Sequence, residues 1–108
     1  MVNGDWQQVG DDIDGEAASD RSGRSISLSA DGGRVAIGAE GNGGNAGHVR
    51  IYDFIAGSWQ QVGTDIDGDA TGNALGSSVA LSADGKRVAI GAKYSDASFP
   101  QAGSVKIF

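Results

Sequence analysis

Ser25-Ile26-Ser27-Leu28-Ser29-Ala30-Asp31-Gly32-Gly33-Arg34-Val35-Ala36-Ile37-Gly38-Ala39 decides the fold. Aliphatic residues fall at every second position on both sides of Asp31-Gly32, the period of a strand and not of a helix. Asp-Gly between two alternating runs signals a tight hairpin, because glycine reaches the positive φ such turns need. Between the aliphatic residues stand Ser25, Ser27, Ser29, Ala36 and Gly38, where a solvated face would carry lysine, glutamate or threonine. Side chains this small predict a second packed face that another sheet approaches closely.

The hairpin occurs twice, and so does most of the chain. Ser78-Val79-Ala80-Leu81-Ser82 and Arg87-Val88-Ala89-Ile90-Gly91-Ala92 flank Asp84-Gly85 as their counterparts flank Asp31-Gly32. Trp6-Gln7-Gln8-Val9-Gly10 returns as Trp59-Gln60-Gln61-Val62-Gly63, an offset of 53, and 23 of the 35 positions from Trp6 to Glu40 are identical at that offset. After a three-residue insertion, Gly47-His48-Val49-Arg50-Ile51-Tyr52 is answered by Gly103-Ser104-Val105-Lys106-Ile107-Phe108. Each repeat reads as four short strands: Trp6 to about Asp12, Ser25–Ser29, Arg34–Ala39 and His48–Phe54, then Trp59–Asp65, Ser78–Ser82, Arg87–Ala92 and Ser104–Phe108. The expected organisation is one propeller unit of two repeats, 1–58 and 59–108, each an outer strand followed by a blade repeat. A period near 50 residues, four strands and two packed faces predict an all-β fold of β-propeller blades, four antiparallel strands to a blade and two blades to a chain.

The residues also carry a family resemblance. Gly76-Ser77-Ser78-Val79-Ala80-Leu81-Ser82, Arg87-Val88-Ala89-Ile90-Gly91-Ala92 and Gly103-Ser104-Val105-Lys106-Ile107-Phe108 resemble the FG-GAP repeat of integrin-α-type propellers. Ser82-Ala83-Asp84-Gly85-Lys86-Arg87-Val88-Ala89 is similar to the hairpin of TolB-type propeller repeats as well. The resemblance spans both repeats and implies an extracellular or cell-surface setting and a binding role. Calcium-binding members carry an Asp-rich loop between the first two of those strands. Here that loop is Ser-Ala-Asp-Gly-Gly or Ser-Ala-Asp-Gly-Lys, too short and too poor in carboxylates, so the family's calcium site does not carry over.

Composition narrows the function. The formal charge of −6 and eight scattered basic residues exclude nucleic acid, whose phosphates demand clustered Lys and Arg. No apolar run approaches the roughly 20 residues of a membrane span, so membrane insertion is not expected. Met1-Val2-Asn3-Gly4-Asp5 is not a signal peptide. Without cysteine there is no disulfide to staple a small core.

Two blades do not make a ring, since propellers have roughly 4–8. The chain opens on an outer strand without its blade and closes on a third strand without its outer partner, and the two defects are complementary. Copies joined head to tail would satisfy both edges and close with cyclic symmetry. Three copies make six blades and four make eight, and the homotrimer is favoured over the homotetramer on the blade range.

Candidate ligand contacts lie in the loops where the repeats differ. Asn42 and Asn45 in one loop, and Tyr94, Asp96 and Phe99 in its longer counterpart, gather amides, an acid and aromatic rings, a set suited to a glycan or a protein ligand, with Phe99-Pro100 folding back to cover the blade as the favoured alternative for the aromatics. Asp12, Asp14 and Glu16, repeated as Asp65, Asp67 and Asp69, stand at alternate positions, and three readings of them remain open. Calcium would want such oxygens, but the EF-hand spacing fails; capping and solvation of turns is the favoured reading, and contact with a polar ligand is the third. Trp6 and Trp59 recur in register and are expected in the packing of outer strands, while Asp31-Gly32 and Asp84-Gly85 are expected to shape turns. His48 is the only histidine, and no nucleophile elbow, phosphate loop or zinc spacing accompanies it. The expectation is therefore a non-enzymatic, self-assembling scaffold without a cofactor, with a lectin-like module or a structural segment of an adhesion protein as the alternatives.

Overall fold

The computed structural model describes residues 3–41, 46–69, 72–93 and 103–108. None of these is helical, and their eight strands form two antiparallel sheets. The first is a meander of β1 (Ser25–Leu28), β2 (Arg34–Ala39), β3 (His48–Ile55) and β4 (Ser58–Gln61), with β5 (Ile66–Asp67) rejoining β3. The second contains β6 (Leu75–Leu81), β7 (Val88–Ala92) and β8 (Ser104–Ile107) in that order. Both β4 and β5 pair with β3, through Phe54↔Trp59 and Val49↔Ile66, so they are two pieces of one edge strand. The opening of the second repeat thus completes the first sheet.

The corresponding opening of the first repeat has no such neighbour. The strand expected from Trp6 to about Asp12 is absent: these residues join neither sheet. Trp6, expected to be packed, is 85% exposed. Trp59 is half-buried instead, its ring 5.1 Å from that of Phe54 and its indole N–H donating to the Val9 carbonyl at 2.9 Å. The Val9–Gly10 segment therefore rests on the outer edge of the first sheet.

The two sheets stack face to face, and small side chains set their separation. Ser25, Ser27, Ala36 and Gly38 point from the first sheet towards β6, and a Cβ at Gly38 would collide with the Gly76 carbonyl oxygen. Ser25 Oγ donates to that same carbonyl at 2.6 Å, and Ser27 Oγ accepts from the Leu81 N–H at 2.9 Å. Ala36, Val49, Leu75, Val88, Ile90 and Ala92 form the buried core between the sheets. The serines of β1 thus act as hydrogen-bonding spacers, satisfying backbone groups where a larger residue would hold the sheets apart.

The turns follow from their residues. Gly32 and Gly85 have φ of +73° and +72°, and their N–H groups donate to Ser29 and Ser82 carbonyls at 3.0 and 2.9 Å. Asp31 Oδ1 accepts from the Gly33 N–H and Ser29 Oγ, which holds its carboxyl below the usual range. Asp84 is lowered in the same way by the Lys86 N–H and Ser82 Oγ. The hairpin between β3 and β4 turns on Ala56 and Gly57, both with positive φ (51° and 88°). Alanine pays a steric cost there that asparagine largely avoids. Ala56→Asn should stabilise the protein by about 0.5–1 kcal/mol, read as a rise in the urea midpoint at unchanged slope.

Candidate interaction site

The packed interface between the sheets is built from two unlike halves, and each half appears a second time, uncovered, on the outside of the chain. The inner apolar half is Val79 and Leu81 of β6, half-buried against the first sheet. Their repeat equivalents Ile26 and Leu28 are 63% and 59% exposed. The small-residue half of the first sheet continues into Val49 of β3, which has no exposed surface. Its equivalent Val105 on β8 is 68% exposed, beside the outward-facing Ser78 and Ala80. A groove of about 420 Å³ lies on this face, lined by Ser77, Ser78, Gly91, Ala92, Gly103 and Val105 among others. In the first sheet the equivalent place receives Leu75 and Gly76, with Gly47 bridging Leu75.

A charge cluster closes the outer end of the first sheet. Arg50 on β3 donates to both oxygens of Asp65, from Nε at 2.8 Å and Nη2 at 2.9 Å, and to Glu16 Oε2 at 2.8 Å. Gln61 Nε2 donates to Asp65 Oδ1 at 2.7 Å. Arg50 and, after it, the Gln61 amide hold the Asp65 carboxyl at about 2, while the carboxylates raise the Arg50 guanidinium. His48 lies beneath, 4% exposed, its Nδ1 without a hydrogen bond and 3.8 Å from Glu16 Oε1.

The lowered Asp65 carboxyl fixes the sign of a pH effect. Its contribution to stability is present above the unfolded value near 3.8 and is lost as pH falls through about 2. Solvent reaches this edge and screens the pair, so the contribution is on the order of 1 kcal/mol. Asp65→Asn should lower the melting temperature at pH 7 and flatten the acid limb of stability between about pH 4 and 2, measured by thermal melts across that range.

Of the six acids considered for calcium, the structure brings Glu16 and Asp65 together, with a His48 nitrogen and carboxylate oxygens within 4.8 Å of one another. Arg50 already supplies the positive charge there, and calcium needs six to eight oxygens. The other acids are dispersed. Asp69 accepts from Lys106 Nζ at 2.7 Å, Asp12 from Gln8 Nε2 at 2.7 Å, and Asp67 lies in β5 opposite His48. Asp12 and Asp14 line a shallow groove with Tyr52 and Trp59. Asn42, Asn45, Tyr94, Asp96 and Phe99 lie outside the described residues.

A second electrostatic contact joins the two sheets. The Glu40 side chain, 3% exposed, meets Lys93 Nζ at 3.1 Å and Arg21 and Arg24 at 3.8 Å. Glu40 and Lys93 occupy equivalent places in the two repeats, so the chain pairs opposite charges across its own repeat interface. Among the described residues no helix is long and apolar enough to cross a membrane. The chain matches no protein-family model and no curated protein.

Proposed function

We propose that this chain is a two-blade segment of a β-propeller of the FG-GAP kind, and that it closes a ring with copies of itself to serve as a non-enzymatic interaction scaffold. One observation carries the reading: Val49 is buried in the interface between the repeats while its equivalent Val105 is 68% exposed. The apolar half of that interface is uncovered at the opposite end, on Ile26 and Leu28. Two unlike faces that already fit one another inside the chain make a heterologous, head-to-tail contact, which closes where the rotation between blades permits. The strand order supports the same reading, since the edge strand of one sheet leads directly into the innermost strand of the next. Within the roughly 4–8 blades of a propeller, three copies and six blades are the favoured closure.

The seam between copies is somewhat less apolar than the internal one. Ser22 stands in the repeat where Leu75 fills the first sheet, so the groove beside Val105 would receive a smaller, polar residue. Assembly is accordingly expected to depend on concentration. Amide hydrogen exchange tests it: the edge-facing N–H groups of Val105 and Ile107 should become protected as the protein is concentrated, while the Lys106 N–H, already in the ladder with β7, should not change. Exchange at the two edge-facing amides that is fast and equal at every concentration would count against the ring.

A further inference from the structure

Arg50 and Lys106 hold equivalent positions in the third strand of the two sheets, and each pairs with the acid at the equivalent place in the preceding loop, Glu16 or Asp69. The first cluster has a third member, Asp65, contributed by the edge strand and oriented by Gln61. The second has no edge strand, and among the described residues Lys106 has Asp69 alone. The residue equivalent to Asp65 is Asp12, at the opposite end of the chain. Its carboxylate is oriented by Gln8 at 2.7 Å, the same bond at the same length as Gln61 makes to Asp65. Asp12 is thus preset in the local geometry of a cation-binding acid.

We infer that a second copy of this chain completes the Lys106–Asp69 cluster with its Asp12, in a fixed strand register. This rests on the ring reading above and specifies its seam. The pairs His48↔Asp67 and Val49↔Ile66 translate to Ser104 opposite Asp14, and Val105 opposite Ile13, of the second copy. Continued by one position, the same register sets Lys106 opposite Asp12. Opposite charges at paired positions on an edge stabilise one register and penalise slipped ones. Residues 6–14, which form no ladder within their own chain, then become the missing edge strand of the neighbour.

The chain has no cysteine, so an engineered pair reports the register without background. The Gly68 N–H bonds to the Gly47 carbonyl, which makes His48↔Asp67 the closer, non-hydrogen-bonded kind of pair. Its counterpart, Ser104→Cys with Asp14→Cys, has a separation a disulfide accepts. Oxidation should give a ladder of dimer and trimer on non-reducing gels, while Ser104→Cys with Asp12→Cys should stay monomeric. Asp12→Asn should weaken assembly about tenfold and blunt its salt dependence, with the monomer's melting unchanged. An assembled ring that gives no ladder with the first pair, or is indifferent to Asp12→Asn, overturns the seam and leaves the ring reading standing. A chain monomeric at every concentration overturns both.

Discussion

Leu28→Asp is expected to leave the chain folded and to abolish its assembly. Leu28 is 59% exposed in the single chain, so the substitution costs its fold little. In the seam Leu28 would occupy the place of Leu81, which packs on the small-residue face and donates its N–H to Ser27 Oγ. Loss of a buried leucine is worth about 1.5–3 kcal/mol, and an unpaired carboxylate set against an apolar face adds a desolvation cost. Together these come to about 4 kcal/mol at each seam, or about a thousandfold in its association constant. Sedimentation velocity of the variant should show only the 10.9 kDa species, with an unchanged far-UV spectrum. Assembly equal to that of the parent chain would mean that the Ile26–Leu28 face is not in the seam.

The same residue type should give opposite outcomes at two equivalent glycines. A Cβ at Gly38 meets the Gly76 carbonyl oxygen and the Ser25 hydroxyl that is bonded to it, so neither can yield without opening the interface. Gly38→Ala is therefore expected to destabilise the monomer by about 3 kcal/mol, the upper end of overpacking, with a fall in melting temperature of about 10 °C or more. At Gly91 the added methyl meets mainly the Ser78 side chain, which can turn away. In the seam its counterpart to the Gly76 carbonyl would be that of Gly23 in the neighbouring copy. Gly91→Ala should thus melt within a few degrees of the parent as a monomer and fail to assemble. Equal destabilisation of the monomer by both would show that the Gly91 face is not uncovered in the single chain.

The strands were legible where alternation and a turn residue agree. β2 (Arg34–Ala39) has the bounds expected from Val35, Ile37 and the Asp31-Gly32 turn, and the small residues opposite them do face a second sheet. Trp6 misled because its strand-like neighbourhood is only half of a pairing: an edge strand needs a partner, and among the described residues this segment has none. β6 starts at Leu75, earlier than the alternation indicated, because a bulge after Leu75 and the positive φ of Gly76 break the period of two. The Arg50 cluster was missed because its members come from a loop, a third strand and an edge strand. A signal for it did exist, since Glu16–Arg50 and Asp69–Lys106 keep their charges across the repeat while their identities change. Reading the acids by themselves, as turn caps, calcium ligands or polar-ligand contacts, overlooked the cation that each repeat supplies.

The native mass of the chain in solution, by light scattering behind size exclusion at several concentrations, tests the central claim most directly. The result expected is a sharp species at three times 10.9 kDa, in exchange with monomer on dilution and with no growth beyond closure. A monomer at every concentration, or a mass that climbs without limit, would contradict a closed ring built from the chain's own repeat interface.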